Sequence, residues 1–252
     1  MHTRTPTKNT LSDIDAVILC GGMGSRLRTV VDDRPKPMAE IDERPFLDIL
    51  IDSFCEFGFK RFVLCAGYMS QIIRDYYGSR TGSQEFVISN EDKRLGTAGA
   101  IKNAARSIRS DTFLVANGDS FCSVDLAAFY DFHLARSALM SMVVIETQNT
   151  GDCGLVALDG SQRIVGFEEK NARSQSRHIN AGIYLFQKEV LSLIPDDTKV
   201  SLENELFPEL IKQSCYAFAT AGSLIDIGTP ARFAMAKKDL ARKHLQLSER
   251  VS

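Results

Sequence analysis

The chain has 252 residues, enough for one large α/β domain with a substantial core or for two small ones. Hydrophobic residues make up 44% and charged residues 25%, the balance of an ordinary globular protein, and the formal net charge is -2. Without a basic excess no nucleic-acid partner is expected, and no apolar run approaches the ~20 residues of a membrane helix.

Residues 1–13 are polar, lack the apolar stretch of a signal peptide and read as a loose, flexible N-terminal tail. A cytoplasmic protein with one domain over residues 14–246 is expected, and a homodimer is compatible with the sequence. Ala16–Cys20 is a short apolar run that stops at Gly21-Gly22, as a buried strand does. A loop punctuated by Gly and Pro follows, through Pro37. Phe46–Phe57 has apolar residues at helical spacing and ends at Gly58. Arg61–Cys65 reads as a strand, Gln71–Tyr77 as a helix stopped by Gly78, and Glu85–Ser89 as a third strand. Thr97–Ile108 suits a helix, Thr112–Ala116 a fourth strand, and Asp125–Arg136 a further helix.

This alternation predicts a parallel sheet with helices on both faces. The pattern then changes. Ser141–Glu146, Gly154–Leu158, Arg163–Glu168 and Ile179–Phe186 are closely spaced strand candidates that favour antiparallel pairing. Helices are expected over Leu202–Gln213 and Pro230–His244, with a strand at Tyr216–Thr220 between them. The six cysteines contain no C-x-x-C pair and the four histidines are scattered, so reduced, mostly buried thiols are expected rather than a zinc site.

The first strand turns over at Leu19-Cys20-Gly21-Gly22-Met23-Gly24-Ser25-Arg26-Leu27. Glycine permits positive φ and lets backbone N–H groups approach an anion. Arg26 can add a forked, permanently charged donor for phosphate oxygens. Lys36 stands between Pro35 and Pro37, whose rings stiffen the backbone and aim the ammonium group. The dinucleotide pattern G-x-G-x-x-G fails because Leu27 stands where the third glycine belongs, and the Walker G-K-[ST] is absent. Gly-Gly alone is usually a structural turn; together with Arg26 and a Pro-bracketed Lys36 it favours a phosphate loop.

G-x-G-x-R-L followed by P-K-P resembles the signature of sugar-1-phosphate nucleotidyltransferases, and the resemblance continues from about Ala16 to Leu240. It implies a Rossmann-like, GT-A-like mixed and mostly parallel sheet, use of Mg²⁺, and release of pyrophosphate. It implies that Arg26 and Lys36 are catalytic, and that Leu19, Gly21, Gly22, Gly24 and Ser25 bind nucleotide.

Leu95-Gly96-Thr97-Ala98-Gly99 opens a helix, where two glycines can let N–H groups meet a ligand and Thr97 can serve as a cap. The resemblance puts Gly96 and Thr97 against the base and ribose, with Glu91 as a base contact; this chain has Lys93-Arg94 where relatives often have Glu-Pro. Val115-Ala116-Asn117-Gly118-Asp119 ends a predicted strand, where the ligand crevice of an open α/β sheet lies. Asp226 sits in the apolar run Leu224-Ile225-Asp226-Ile227, where an unpaired carboxylate is costly and a metal would explain it. The resemblance makes Asp119 and Asp226 the metal ligands and Asn117 a nucleotide contact.

Glu168-Glu169-Lys170 ends another strand candidate and alone would read as a solvated end. The resemblance assigns Glu169 to sugar hydroxyls and Lys170 to the sugar phosphate, with Gly118, Asn180 and Gly182 lining that pocket. Arg34–Ala39, Arg44–Leu47 and Ser201–Glu203 most resemble guanylyltransferases acting on D-glycero-α-D-manno-heptose 1-phosphate, so GTP and that sugar are the favoured substrates. With little sequence after the last helix, a minimal, single-function enzyme is expected. The rival readings are a hexose-1-phosphate enzyme using dTTP, UTP or CTP, a catalytically silent regulator that binds nucleotide-sugars, and a dehydrogenase. The last is opposed by the missing glycine, and the silent relative by the intact charged set.

Overall fold

Strands of a doubly covered sheet must be apolar on both sides, and the short apolar runs between glycines and prolines meet that demand. A computed structural model describes residues 10–147, 153–169 and 176–251, with the side chains of 168, 169 and 241–251 outside the description. In chain order, β1 spans Asp15–Leu19, and the small hairpin of β2 (Glu40–Ile41) and β3 (Arg44–Pro45) leads into α1 (Phe46–Glu56). Then come β4 (Arg61–Ala66), α2 (Ser70–Gly78), β5 (Glu85–Asn90), α3 (Gly96–Asn103) and β6 (Thr112–Asn117). β7 (Ser120–Cys122) and α4 (Leu126–Ala135) precede β8 (Met140–Glu146), β9 (Gly154–Leu158), β10 (Ile164–Glu169) and β11 (His178–Gln187). Last are α5 (Phe207–Leu210), β12 (Cys215–Thr220), β13 (Leu224–Asp226) and α6 (Pro230–Val251).

Among the described residues one mixed sheet has nine strands. The run β6-β1-β4-β5 is parallel, its members linked by crossovers that carry α1, α2 and α3. β11 then pairs antiparallel with β6, β8 and β9; β10 flanks β9, and β12 lies parallel to β8. Neighbours along each strand face opposite cores. Ile18, Leu64 and Leu114 pack with Leu50, Phe54 and Phe129 from α1 and α4. Val17, Val63 and Val115 pack on the other face with Ala98 and Ile101 from α3 and Phe207 from α5. A third cluster joins Leu27, Ala39, Ile41 and Phe46 to Ile225, Ile227, Phe233 and Leu240. No helix among the described residues is long and apolar enough to cross a membrane.

Three expectations change. Residues 11–13 of the expected tail form a 3-10 turn whose Leu11 is buried in the first core, because that side chain has apolar surface to hide. The helix expected over 97–108 stops at Asn103. Arg61 donates to the Ser107 carbonyl (2.7 Å), and the Asp15 carboxylate accepts from the N–H of Arg109 (2.5 Å) and Ser110 (2.9 Å), drawing the chain to the foot of β1. The helix expected over 202–213 is a π turn at Leu202–Leu206 running into α5, since Pro208 has no N–H to continue an α ladder.

One buried polar chain crosses the antiparallel half. The Thr112 hydroxyl donates to Gln187 Oε1 (3.2 Å), so Gln187 Nε2 donates to His133 Nε2 (2.9 Å) and the imidazole proton sits on Nδ1, against the Ser141 hydroxyl (2.9 Å). Burial pushes the His133 imidazolium down to about 4 from an ordinary value near 6.5. Between these values the unfolded chain takes up a proton that the folded one refuses. The stability from neutral His133 is therefore complete above pH 6.5 and is lost progressively as the pH falls to about 4. The melting temperature of the protein should fall across this window, and His133→Gln should flatten that part of the slope while lowering stability at pH 7. Equal pH slopes for the two proteins in thermal denaturation would remove His133 as the source.

Candidate active site

The carboxyl ends of β1, β4, β5 and β6 open on one edge of the sheet, and the site is built there. After β1, Cys20 still donates to the Cys65 carbonyl (2.8 Å) before the chain leaves the sheet. The loop is tied down by Leu27, which is buried in the third cluster and whose N–H bonds to the Gly24 carbonyl (2.8 Å). Gly24 has φ +57, and a Cβ there would lie 3.1 Å from Lys36 Cβ. Its missing side chain lets the Lys36 stem cross the loop. Lys36 itself starts a 3-10 turn, Lys36–Met38, and its Nζ forms an ion pair with the Asp119 carboxylate.

Asp119 follows β6 at Gly118, where a Cβ would stand 2.8 Å from the Leu19 carbonyl and 3.3 Å from Pro37. Glycine there lets the end of β6 pass close against β1. The chain then enters β7, which pairs antiparallel with β13 so that Ser120 faces Asp226. Ile227 N–H donates to the Asp119 carbonyl (3.1 Å). This short ribbon draws the two aspartates together. The Asp226 carboxylate is not buried among its apolar neighbours, as the sequence suggested. It is 32% exposed, paired with Arg232 (3.3 Å) and bonded by the Gly228 N–H (2.6 Å), because β13 is an edge ribbon rather than a core strand. The burial cost that pointed to a metal is therefore absent, and the geometry supplies the argument instead. No group of three or more His, Cys, Asp or Glu gathers among the described residues. Two carboxylates on one cavity suit a hard cation that takes its other ligands from water and phosphate, as Mg²⁺ does.

Two cavities adjoin at this point. The smaller, of about 420 Å³, is lined by Leu19, Gly21, Gly22, Lys36, Glu91, Gly96 and Thr97. The larger, of about 570 Å³, is lined by Arg26, Asn180, Gly182 and Asp226, with Phe167, Ile179 and Leu224 as apolar wall. Asn117, Asp119 and Glu203 line both. Gly24, Gly118 and Ser25 line neither. Glu169 ends β10 with its side chain outside the description, and Lys170 lies outside the described residues.

Several of these residues are held by specific partners. Glu91 accepts the Leu95 N–H (3.0 Å), and its other oxygen fills space that a Cβ on Gly21 would need. Burial raises its carboxyl above the ordinary value, against the lowering pull of Leu95 N–H and Arg94. Asn180 accepts the Gly182 N–H (2.9 Å) and donates to the Tyr184 hydroxyl (2.7 Å), fixing the irregularity in β11 where Gly182 has φ +74. A Cβ on Gly182 would meet Asn117 Nδ2 at 2.7 Å.

The start of α3 differs from expectation. The N–H groups of Ala98 (3.0 Å) and Gly99 (3.2 Å), expected to meet a ligand, both donate to the Val200 carbonyl. A Cβ on Gly96 would lie 2.5 Å from that same oxygen, so the glycine admits the segment before the π turn at the wall of the smaller cavity. Thr97 does not cap the helix; its hydroxyl donates to Glu203 (3.1 Å) and accepts the Leu202 N–H (2.7 Å). Glu203 and Arg232 are among the cavity residues that the sequence reading did not assign to the site, with Lys199 and Asp239. For Arg232 a signal existed, since a helix start at Thr229-Pro230 turns its third residue back toward Asp226. For Glu203 the signal was only the likeness of Ser201–Glu203 to guanylyltransferases, because its place depends on the packing of Val200 on α3.

The Nucleotidyl transferase family model matches residues 15–243. The chain is 35% identical over 235 residues to a mannose-1-phosphate guanylyltransferase of Mycobacterium tuberculosis, spanning 91% of this chain and 65% of that protein. It is 33% identical to a D-glycero-alpha-D-manno-heptose 1-phosphate guanylyltransferase of Aneurinibacillus thermoaerophilus, spanning 90% of this chain and 98% of that protein. The crystal structure of HddC from Yersinia pseudotuberculosis superposes with a TM-score of 0.80 at 31% identity, covering 90% of this chain and 99% of the other. The same protein complexed with GMP-PN superposes at 0.78. With its matched span reaching from β1 into α6, and its paired cavities at the carboxyl edge of a Rossmann-like, GT-A-type sheet, the chain belongs to the nucleotidyl transferase family.

Proposed function

We propose that the protein transfers a nucleoside monophosphate from a nucleoside triphosphate to a sugar 1-phosphate and releases pyrophosphate, with residues 14–246 acting as one domain. The observation that carries this reading is the junction of two cavities at Asn117 and Asp119, beside a phosphate-type glycine loop. The smaller cavity takes the nucleotide and the larger takes the sugar phosphate.

Charge dictates the chemistry. A triphosphate with about four negative charges must meet a phosphate with about two, and such transfers depend on positioning and electrostatic stabilisation. A sugar phosphate oxygen attacks the α-phosphorus in line, and the bond to the β-phosphate oxygen breaks as pyrophosphate leaves. Arg26 and Lys36 offset the charge of the triphosphate and of the leaving group, Lys36 leaving its ion pair with Asp119 to do so. Lys170 holds the attacking phosphate, and Glu169 takes sugar hydroxyls. The nucleophile is already ionised at neutral pH, so no general base is required. When bound at Asp119 and Asp226, Mg²⁺ supplies Lewis-acid charge stabilisation at the phosphates.

GTP and D-glycero-α-D-manno-heptose 1-phosphate form the proposed substrate pair. Support comes from the relatives named for that sugar, which the chain matches over 98% and 96% of their lengths. The 35% identity to a mannose-1-phosphate enzyme makes mannose 1-phosphate the main competitor. Guanine offers N1–H and the 2-amino group, donors suited to the half-buried Glu91 carboxylate.

Two predictions follow from these assignments. Asp119→Asn and Asp226→Asn should each lower kcat roughly 100-fold or more with the fold retained, and EDTA should abolish turnover. Undiminished pyrophosphate release in EDTA would exclude a metal. Assayed against each nucleoside triphosphate and a panel of sugar 1-phosphates, the protein should give its highest kcat/KM with GTP and the heptose. A site that bonds a hydroxyl can reject an analogue lacking it by roughly 10⁴-fold, so mannose 1-phosphate should be clearly poorer. A hexose matching the heptose, or another triphosphate exceeding GTP, would overturn the substrate pair while leaving the reaction class standing.

A further inference from the structure

Glu203 stands on the wall common to both cavities. One of its oxygens, Oε2, accepts the hydroxyls of Thr97 (3.1 Å) and Ser201 (2.9 Å). Oε1 has no hydrogen-bond partner and the carboxylate no cationic partner among the described residues, and Oε1 is not among their buried unsatisfied atoms. Two hydroxyls thus fix one oxygen of the side chain and leave the other oxygen of a residue on the seam free to accept. The backbone beneath it is fixed as well. Val200 N–H donates to the Leu95 carbonyl (2.8 Å), and the Val200 carbonyl takes the N–H groups of Ala98 and Gly99. That approach is closed to any residue with a Cβ at position 96 or 99, where the clashes would be 2.5 Å with the Val200 carbonyl and 2.6 Å with that of Thr198.

We propose that Glu203 is a specificity-determining residue whose Oε1 accepts the hydrogen of a substrate hydroxyl at the seam of the two cavities, and that Gly96 is the positioning residue that seats it. The proposal rests on the reaction class given above. The sign of the charge selects the ligand group. A carboxylate repels phosphate oxygens, so the phosphate chains lie toward Lys36 and Arg26, and the group turned to Glu203 is neutral and donates a hydrogen. Substrates of this class offer such groups as the hydroxyls of the nucleotide ribose and of the sugar ring, which share one chemistry. An O–H···O⁻ bond in a partly dry seam is strong enough to discriminate.

The test pairs variants with deoxy substrates. Steady-state pyrophosphate release is measured for the wild type, Glu203→Gln, Glu203→Ala and Gly96→Ala. The substrates are the best pair, the 2′-deoxy and 3′-deoxy triphosphates, and sugar 1-phosphates lacking single ring hydroxyls. The wild type should lose roughly 100-fold in kcat/KM with one deoxy analogue, and Glu203→Ala should lose a similar factor with the parent substrate. Combined, the two losses should not add, and the discrimination should collapse to less than about 10-fold. Non-additivity with a deoxy triphosphate identifies the ribose, and with a deoxy sugar the acceptor. Gly96→Ala should weaken the same substrate as Glu203→Ala. Because Glu203→Gln keeps shape and hydroxyl partners, it carries the test if Gly96→Ala melts early. Additive losses with every analogue, or a Glu203→Gln defect repaired by raising Mg²⁺, would overturn the proposal. A wild type that releases pyrophosphate from no pair would instead sink the reaction class itself.

Discussion

Lys36 and Asp119 are 83 positions apart and form one ion pair, and the geometry of the site depends on bringing them together. Lys36 reaches the pair because Gly24 has no side chain in its way, and Asp119 because Gly118 lets the end of β6 lie close to β1. The pair also states the electrostatic problem of the site in miniature. Lys36, a cation suited to phosphate, is paired with Asp119, a carboxylate suited to a metal. Asp226 and Arg232 repeat the arrangement on the other side of the ribbon. Under the proposed function, polyanionic substrates with a divalent cation would replace both contacts together, whereas either one alone would leave a charge without its partner. Partly exposed pairs of this sort are worth little to stability, so exchanging them costs little.

The parallel half of the sheet was legible because its physics is local. A strand covered on both faces must be apolar at successive positions, and the runs ending at Cys20, Cys65 and Ala116 obey that rule. The bend of the glycine loop was legible for a similar reason, since glycines and a proline-bracketed lysine announce their backbone needs in sequence. What escaped was everything set by contact between distant segments. β7 and β13 are three residues each and carry no periodic signature; they become strands only by pairing with each other. The glycines at the start of α3 were read as letting N–H groups meet a ligand, and beside them lie the carbonyls of Val200, at Gly96, and Thr198, at Gly99. Asp226 illustrates a subtler limit. Its apolar neighbours Ile225 and Ile227 are buried while its own carboxylate points away from them, so hydropathy along the chain misjudged the environment of one side chain.

Asn180 shows the same lesson at the level of chemistry. It lines the larger cavity, as expected of a sugar contact, yet its oxygen is already held by Gly182 N–H and its nitrogen donates to Tyr184. Its main work is to stabilise the break in β11 that brings Gly182 against Asn117. Residue type pointed to the cavity wall where Asn180 lies, and the hydrogen-bond partners decide what remains available to a ligand there.

The third hydrophobic cluster has a consequence for synthesis. Leu27, Ala39 and Phe46 come from the first fifth of the chain, and they are buried against Ile225, Ile227 and Phe233 from the last. Until β13 and the first turns of α6 are made, the glycine loop lacks the surface it packs on and Asp119 lacks its partner ribbon. The cavity-bearing edge of the sheet therefore matures only after β13 and the first turns of α6 leave the ribosome.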